Sequence, residues 1–344
     1  NILMFGQRLP WFGKLRERGN RASAESEAMW FAFQSRQLFL ARRVSWDFFE
    51  YGFTARATEL TALSLDLLRE LEPIVEQKVA TGGEINSLLR LKVEIGRLAD
   101  KLASLDQKRQ AQSARLAALL AIDQTASLPW PEWEAPVGEE LNGLALGRSL
   151  EASNPELQML QRKITSAEAA REIARLEGFP DITVGVNYIE VGDPSVNPST
   201  PDAGRDPWAL TLSVNLPIWR NKYAAVRAEA DAGHRAFVND YNNRLNTLRA
   251  DLTASLAIHA DAQRRLVLYG DELLSLAEQA LENSRSAYEN GRTGILEVID
   301  SERSLLELQL THWRAATDAW QQRITIQSLA NLPLLGTFHA TSEL

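Results

Sequence analysis

Gln7-Arg8-Leu9-Pro10-Trp11 and Asn215-Leu216-Pro217-Ile218-Trp219 are two versions of one junction. Each closes a short apolar or alternating segment and opens a proline-poor stretch rich in Ala, Glu, Arg, Leu and Gln. Each stretch runs for about 70 residues with helical periodicity and breaks at glycines: Gly82-Gly83 in the first, Gly291 and Gly294 in the second. The chain therefore reads as two copies of one unit, a strand followed by a long helical hairpin. Inside the first stretch only Gly13, Gly19, Gly52 and Pro73 are weak breakers. About 70 helical residues reach roughly 105 Å, whereas an average helix has about 11–12 residues, so neither stretch is an ordinary globular helix.

Past Gly82-Gly83 the chain returns with apolar residues three and four apart, at Leu88, Leu91, Ile95, Leu98, Leu102 and Leu105, resuming at Leu116 and Leu119. That spacing is a coiled-coil seam. Arg109 and Gln112 interrupt it, as an assembly with a wet interior tolerates. The second hairpin keeps a beat of seven at Leu245, Leu252, His259, Leu266, Leu273, Ala280 and Ala287, and returns with Ile299, Leu306, Trp313 and Trp320. A strict seven-residue period winds neighbouring helices into a left-handed supercoil. On this pattern His259 is a seam residue satisfied by a neighbour, and Trp313 and Trp320 are packing knobs.

The segments divide as follows. Residues 1–9 are the end of a first-repeat strand, 10–120 the first long hairpin with its turn near 81–84, and 121–153 a connector rich in Pro and Trp. Residues 154–179 are a leading helix, with Ser153 or Asn154 as its cap. Residues 180–217 are a β-hairpin with an exposed loop at 192–207, 218–332 the second long hairpin with its turn near 290–294, and 333–344 a tail.

The strand evidence is clearest in the hairpin. Ile182, Val184, Val186 and Tyr188 alternate with Thr183, Gly185 and Asn187; Trp208, Leu210, Leu212, Val214 and Leu216 alternate with Ala209, Thr211, Ser213 and Asn215. Segments of about 9–11 residues, apolar on one side and small or polar on the other, suit tilted membrane strands. The same alternation also suits a soluble sheet half-buried against helices. Helices this long argue against the second reading, because they cannot share a compact core with one hairpin.

Composition removes several functions. The 344 residues carry 37 basic and 45 acidic side chains, a net charge of −8, without long blocks of either sign. Nucleic acid is not an expected partner, since phosphate binding needs a basic face. The absence of Cys excludes thiolate metal sites, disulfides and Cys nucleophiles. The four histidines, His234, His259, His312 and His339, have no ligand spacing. No metal site, cofactor or catalytic constellation is expected. No run of about 18 apolar residues encodes a transmembrane helix.

Strand, Leu-Pro-aromatic junction, long helix, glycine turn, returning helix, connector, and then the same again: this order resembles the TolC-type outer-membrane efflux proteins over about residues 5–336. The matching signatures are Pro10-Trp11-Phe12-Gly13-Lys14-Leu15 and its echo Pro217-Ile218-Trp219, then Asn154-Pro155-Glu156-Leu157 and Pro180-Asp181. The sharpest is Tyr288-Glu289-Asn290-Gly291 followed by Leu296-Glu297-Val298-Ile299-Asp300. The Pro-Trp-Phe-Gly-Lys-Leu form is most similar to the heavy-metal and cation branch, the cobalt-zinc-cadmium and copper-silver systems.

The resemblance implies a mainly α protein with a small membrane β part, in two structural repeats. Its long coiled-coil hairpins would form an α-barrel, and its strands would join a trimeric 12-stranded outer-membrane β-barrel. It implies a homotrimer in outer-membrane lipid, a periplasmic adaptor and an inner-membrane pump as partners, and conduction instead of catalysis. It expects a helix and a strand ahead of residue 1. The strand-to-helix junctions would be Pro10, Trp11, Pro217 and Trp219, and the helical turns Gly82, Gly83, Gly291 and Gly294. Glu297 and Asp300 lie three apart, on one helix face, where the family carries acids ringing the periplasmic entrance. Alternatively they favour the positive end of their own helix. Arg292 either bonds across the turn or is solvated. The rival from another class is a soluble periplasmic coiled-coil scaffold or adaptor.

Overall fold

The structure is a computed structural model that describes residues 1–124, 128–136, 141–191 and 205–334. In chain order the elements are β1 (Ile2–Leu9), α1 (Lys14–Ala80), α2 (Ile85–Leu120), α3 (Gly143–Ser153), α4 (Pro155–Leu176), β2 (Ile182–Ile189), β3 (Trp208–Val214) and α5 (Arg220–Val267). A six-residue π-helical segment (Leu268–Leu273), α6 (Leu274–Glu289) and α7 (Ile295–Leu329) follow. The chain divides into two units: residues 1–34 with 155–246, and residues 35–154 with 247–344.

The first unit holds the sheet, in the order β1-β2-β3, antiparallel throughout. β1 pairs with β2 along all its 8 residues, from Ile2 opposite Ile189 to Leu9 opposite Ile182. Directly opposed residues share a face, so the register sorts every side chain. One face takes Leu3, Phe5, Gln7 and Leu9 from β1, Ile182, Val184, Val186 and Tyr188 from β2, and Trp208, Leu210, Leu212 and Val214 from β3. The other takes Gly6, Arg8, Thr183, Gly185, Asn187, Ala209, Thr211 and Ser213, with Ile2, Met4 and Ile189 near one end. The apolar sides expected of the two hairpin strands thus join one continuous face, and β1 extends it. That face is bare: Phe5 is 73% exposed, Trp208 74% and Leu212 71%. Most of the 192–207 loop lies outside the described residues. Its end is held where Asp206 accepts from the Val191 N–H at 2.8 Å and from the Tyr188 hydroxyl.

Beside the sheet in this unit, α4 buries Leu157, Leu160, Ile164, Ala167 and Ala174, and the first part of α1 buries Ala24 and Ala28. Polar links tie these helices: Ser166 donates to Glu25 at 3.2 Å, Arg162 meets Glu27 at 3.0 Å, and Arg244 of α5 meets Glu156 at 2.7 Å. α4 begins with Pro155, whose missing N–H costs nothing in a first turn.

The second unit packs α1, α2, α6 and α7 around Leu65, Leu68, Leu71, Val75, Leu91, Leu98, Tyr288, Ile295, Val298, Ile299 and Leu306. The seam expected of α2 and the sevens expected of α7 both supply this core. A second cluster gathers Trp133, Ala262, Leu266, Ala315, Ala316 and Ala319, with Phe49, Trp313 and Trp320 packed against it.

Three local features depart from the sequence reading. The connector at 121–153 contains a helix, α3, whose N-cap Asn142 accepts from the Ala145 N–H at 3.1 Å; only 11 residues long, its pattern is hidden among the prolines before it. The second long helix carries the π-helical insertion at Leu268–Leu273, around Gly270, where one extra residue per turn shifts the face. The third concerns Arg109 and Gln112, which interrupt the apolar seam but have partners within the chain. The Arg109 guanidinium lies over the Trp130 ring at 4.5 Å, and Gln112 donates to the Glu50 carbonyl at 3.4 Å, so both grip the connector and α1.

Gly52 also gains a reason. A Cβ there would stand 2.3 Å from Trp133 Nε1, so the glycine is a seat for the connector's indole and not a weak point in α1. Trp313 and Trp320 are packing knobs, as expected: Trp320 stacks on Phe49 at 5.3 Å and Trp313 meets Trp133 edge-on at 5.2 Å. Next to them, Glu50 accepts from Lys108 at 3.0 Å and from Arg314 at 2.7 Å, and Arg314 also binds Asp318 at 2.7 Å. Burial opposes ionisation of Glu50, but these two cations outweigh it and hold its carboxyl below the usual range.

Candidate functional site

The tips of the two hairpins are built alike. At the end of α1, Gly82 has φ +103°, its N–H bonds to Val79 O at 3.1 Å, and the Gly83 N–H reaches Lys78 O at 2.9 Å. At the end of α6, Gly291 has φ +70°, its N–H bonds to Tyr288 O at 3.1 Å, and the Arg292 N–H reaches Ala287 O at 2.8 Å. Both are Schellman closures with glycine in the left-handed position. Gly83 has a further constraint, since a Cβ would meet Lys78 O at 2.8 Å. Gly294 is the extended N-cap of α7.

The tips are tied together. Lys78 Nζ donates to the Tyr288 carbonyl at 3.0 Å and lies 3.7 Å from the centroid of the Tyr288 ring. Tyr288 is buried in the four-helix core, whereas the Arg292 side chain is exposed and has no partner among the described residues. Of the two options for Arg292, a bond across the turn and solvation, its exposed side chain fits the second, and the tie between the tips is made by Lys78. Sequence reasoning missed it: a Lys in the last turn of a helix signals only its own carbonyls.

Just past the second tip, Ile295, Val298 and Ile299 point into the core and Glu297 and Asp300 point out. The three-residue spacing does put the two acids on one exposed face. Glu297 sits in the first turn of α7; Asp300 has Arg303 at 3.6 Å, and Arg303 in turn binds the buried Glu94 of α2 at 2.7 Å. One turn further, Glu302 faces inward beside Ser64, and burial pushes its carboxyl up.

The strand-to-helix junctions lie in the first unit and are unequal. Asp181, 4% exposed, precedes β2 and collects the first junction: Arg8 through Nε at 3.1 Å and through its terminal nitrogen, the Trp11 N–H at 2.9 Å, and Lys14 Nζ at 2.7 Å. Lys14 also donates to the Phe179 carbonyl at 3.0 Å, and Trp11 stacks on Phe179 at 5.3 Å. The second junction reaches the same residue, because Asn215 accepts from the Asp181 N–H. Burial alone would raise the Asp181 pKa, but the donors from Lys14, Trp11 and Arg8 prevail and hold it well below the usual carboxylate range. Pro10 and Trp11 are thus clamped, while Pro217 is half-buried and Trp219 stands exposed. Gly13, at φ +88°, gives the first junction the turn that brings Lys14 under Asp181.

A family model described as Outer membrane efflux protein matches residues 146–332. The chain belongs to the outer membrane efflux protein family. Curated relatives of this family member include the probable outer membrane lipoprotein SilC of Salmonella typhimurium, 23% identical over 88% of this chain and 66% of that protein. The cation efflux system protein CusC of Escherichia coli K12 is 21% identical over the same shares. The chain spans about two thirds of the length of these relatives. Among solved structures, the outer membrane protein VceC of Vibrio cholerae superposes with a TM-score of 0.82 at 20% identity, over 97% of this chain and 79% of that one. CusC superposes with a TM-score of 0.81 at 16% identity, over 97% and 83%. At such identities the superpositions establish the fold of this efflux-family chain, which is that of outer-membrane channels.

Proposed function

We propose that this chain is a subunit of an outer-membrane exit duct, receiving substrate from a periplasmic adaptor and an inner-membrane pump and releasing it outside. The observation that carries the reading is the sheet's bare apolar face. A sheet that belonged to a soluble scaffold would cover such a face with helices, whereas lipid covers it in a membrane barrel. Closure into a barrel with further strands would also occupy the open edges of β1 and β3, which otherwise invite uncontrolled pairing. The helical hairpins would then line an aqueous passage, with no cofactor and no chemistry required.

The gate belongs at the hairpin tips. Glu297 and Asp300 from three copies would ring the axis, attracting cations and repelling anions. Metal cations are the substrate class this favours, and the names of CusC and of the cobalt-zinc-cadmium resistance protein CzcC point the same way. The test is conductance of the full-length protein in a planar bilayer. Glu297→Gln with Asp300→Asn should lower cation selectivity and cation block with the trimer intact. Unaltered currents would leave the two acids with only the dipole of their own helix to serve.

A further inference from the structure

α2 carries a basic stripe and α6 an acidic one, and their spacings match. On α2 the exposed residues Arg90, Arg97, Lys101 and Lys108 follow one another by seven, four and seven positions. Away from the second tip, Glu289, Glu282 and Glu278 on α6 and Asp271 in the π-helical segment, all exposed, also follow by seven, four and seven. Within an α-helix steps of seven and four keep residues on one face, which holds for the four basic residues and for Glu289, Glu282 and Glu278; Asp271 lies inside the π-helical turn, which rotates it off that line. Arg90, Lys101, Glu278, Glu282 and Asp271 have no ion-pair partner among the described residues. Arg97 has only Glu94 at 3.5 Å, Glu289 only Arg285 at 3.4 Å, and Lys108 has Glu50. Arg285 is the one basic residue within the acidic stripe.

The stripes are also level. Ser284 and Ser301 meet at 2.8 Å and Glu94 and Arg303 at 2.7 Å, which sets the register of α6 against α7 and of α7 against α2. In that register each basic residue stands about three residues, or roughly 4–5 Å, from the level of its acidic counterpart, within reach of a long side chain. A rotation axis along the helices preserves level, so a second copy presents its acidic stripe at the height of this copy's basic one. Arg97 and Lys101 of the stripe line a groove of about 450 Å³ floored by Leu98, Leu306 and Leu310, whose far side carries this chain's own Arg265, Arg303 and Arg314 and so adds to its positive charge.

We propose that the α2 stripe docks onto the α6 stripe of a second copy, a head-to-tail contact that closes into a ring. This rests on the trimeric reading above and names the surfaces through which the trimer forms. These 344 residues contain no cysteine, so in the full-length protein, with any cysteine outside them replaced by Ser, Lys101→Cys with Glu278→Cys treated with a short bis-maleimide should give a ladder of covalent dimer and trimer on a denaturing gel. Each single variant should stay monomeric there. Arg90→Glu with Lys101→Glu should abolish the native trimer at low salt, and adding Glu278→Lys with Glu289→Lys should restore it, which a mere folding defect would not allow. Trimers that form yet neither cross-link nor respond to charge reversal would overturn the docking surface and leave the duct standing. A protein that is monomeric in every form would overturn both.

Discussion

Removing the Asp181 carboxylate should be among the costliest single changes in the sheet-bearing unit. Asp181→Ala leaves Lys14, 4% exposed at its side chain, as a buried cation with only the Phe179 carbonyl, and strips the Trp11 N–H of its acceptor. Breaking a deeply buried pair from one side costs about 3–5 kcal/mol. Arg8, whose side chain is 63% exposed, brings solvent close to the cluster, so we place the loss near the lower bound, about 3 kcal/mol. Asp181→Asn keeps an acceptor and should lose about half as much. The assay is urea unfolding of the detergent-solubilised protein, followed by Trp fluorescence. The pH dependence has a definite sign: the folded carboxyl ionises more readily than the unfolded one, so its contribution is full above about pH 4 and is lost only as pH falls below that. A loss under 1 kcal/mol for Asp181→Ala, or wild-type and Asp181→Asn curves that run parallel between pH 7 and pH 3, would refute the reasoning.

Gly52→Ala should cost about 1–3 kcal/mol by forcing the Trp133 indole from its seat, and in a double-mutant cycle with Trp133→Ala most of that cost should vanish. Gly82→Ala and Gly291→Ala should each cost about 1 kcal/mol for the left-handed backbone they hold, measured as lowered unfolding midpoints. Burial raises the Glu302 carboxyl, so stability drawn from its neutral form is full below about pH 4 and lost as pH rises. Glu302→Gln should therefore raise Tm at pH 8 and leave it unchanged at pH 4.

Much of this architecture is legible in the chain because long periodic patterns average over local noise. The repeated junction, the glycine turns, the seams through Leu91, Leu98, Ile299 and Leu306, and the alternation of Ile182–Tyr188 each depend on spacing alone. Interactions between residues far apart in sequence are not legible. Lys78 finds Tyr288, and Asp181 gathers Arg8, Lys14 and Asn215, only once the fold has brought them together. The π-helical segment at Leu268–Leu273 and the seat of Trp133 on Gly52 likewise depend on a facing surface. Glu297 and Asp300 were readable as a pair because a three-residue step on a helix needs no tertiary information; the axis they would surround does.

What covers the sheet decides whether this chain is part of a membrane channel. Single cysteines at positions 209 to 214 along β3, each carrying a fluorophore in the protein reconstituted into lipid, can be challenged with a lipid-borne and an aqueous quencher. Positions 210, 212 and 214 should be quenched from the lipid and 209, 211 and 213 from water, with a period of two. Aqueous quenching of all six, or lipid quenching of none, would contradict a membrane-facing strand and with it the duct.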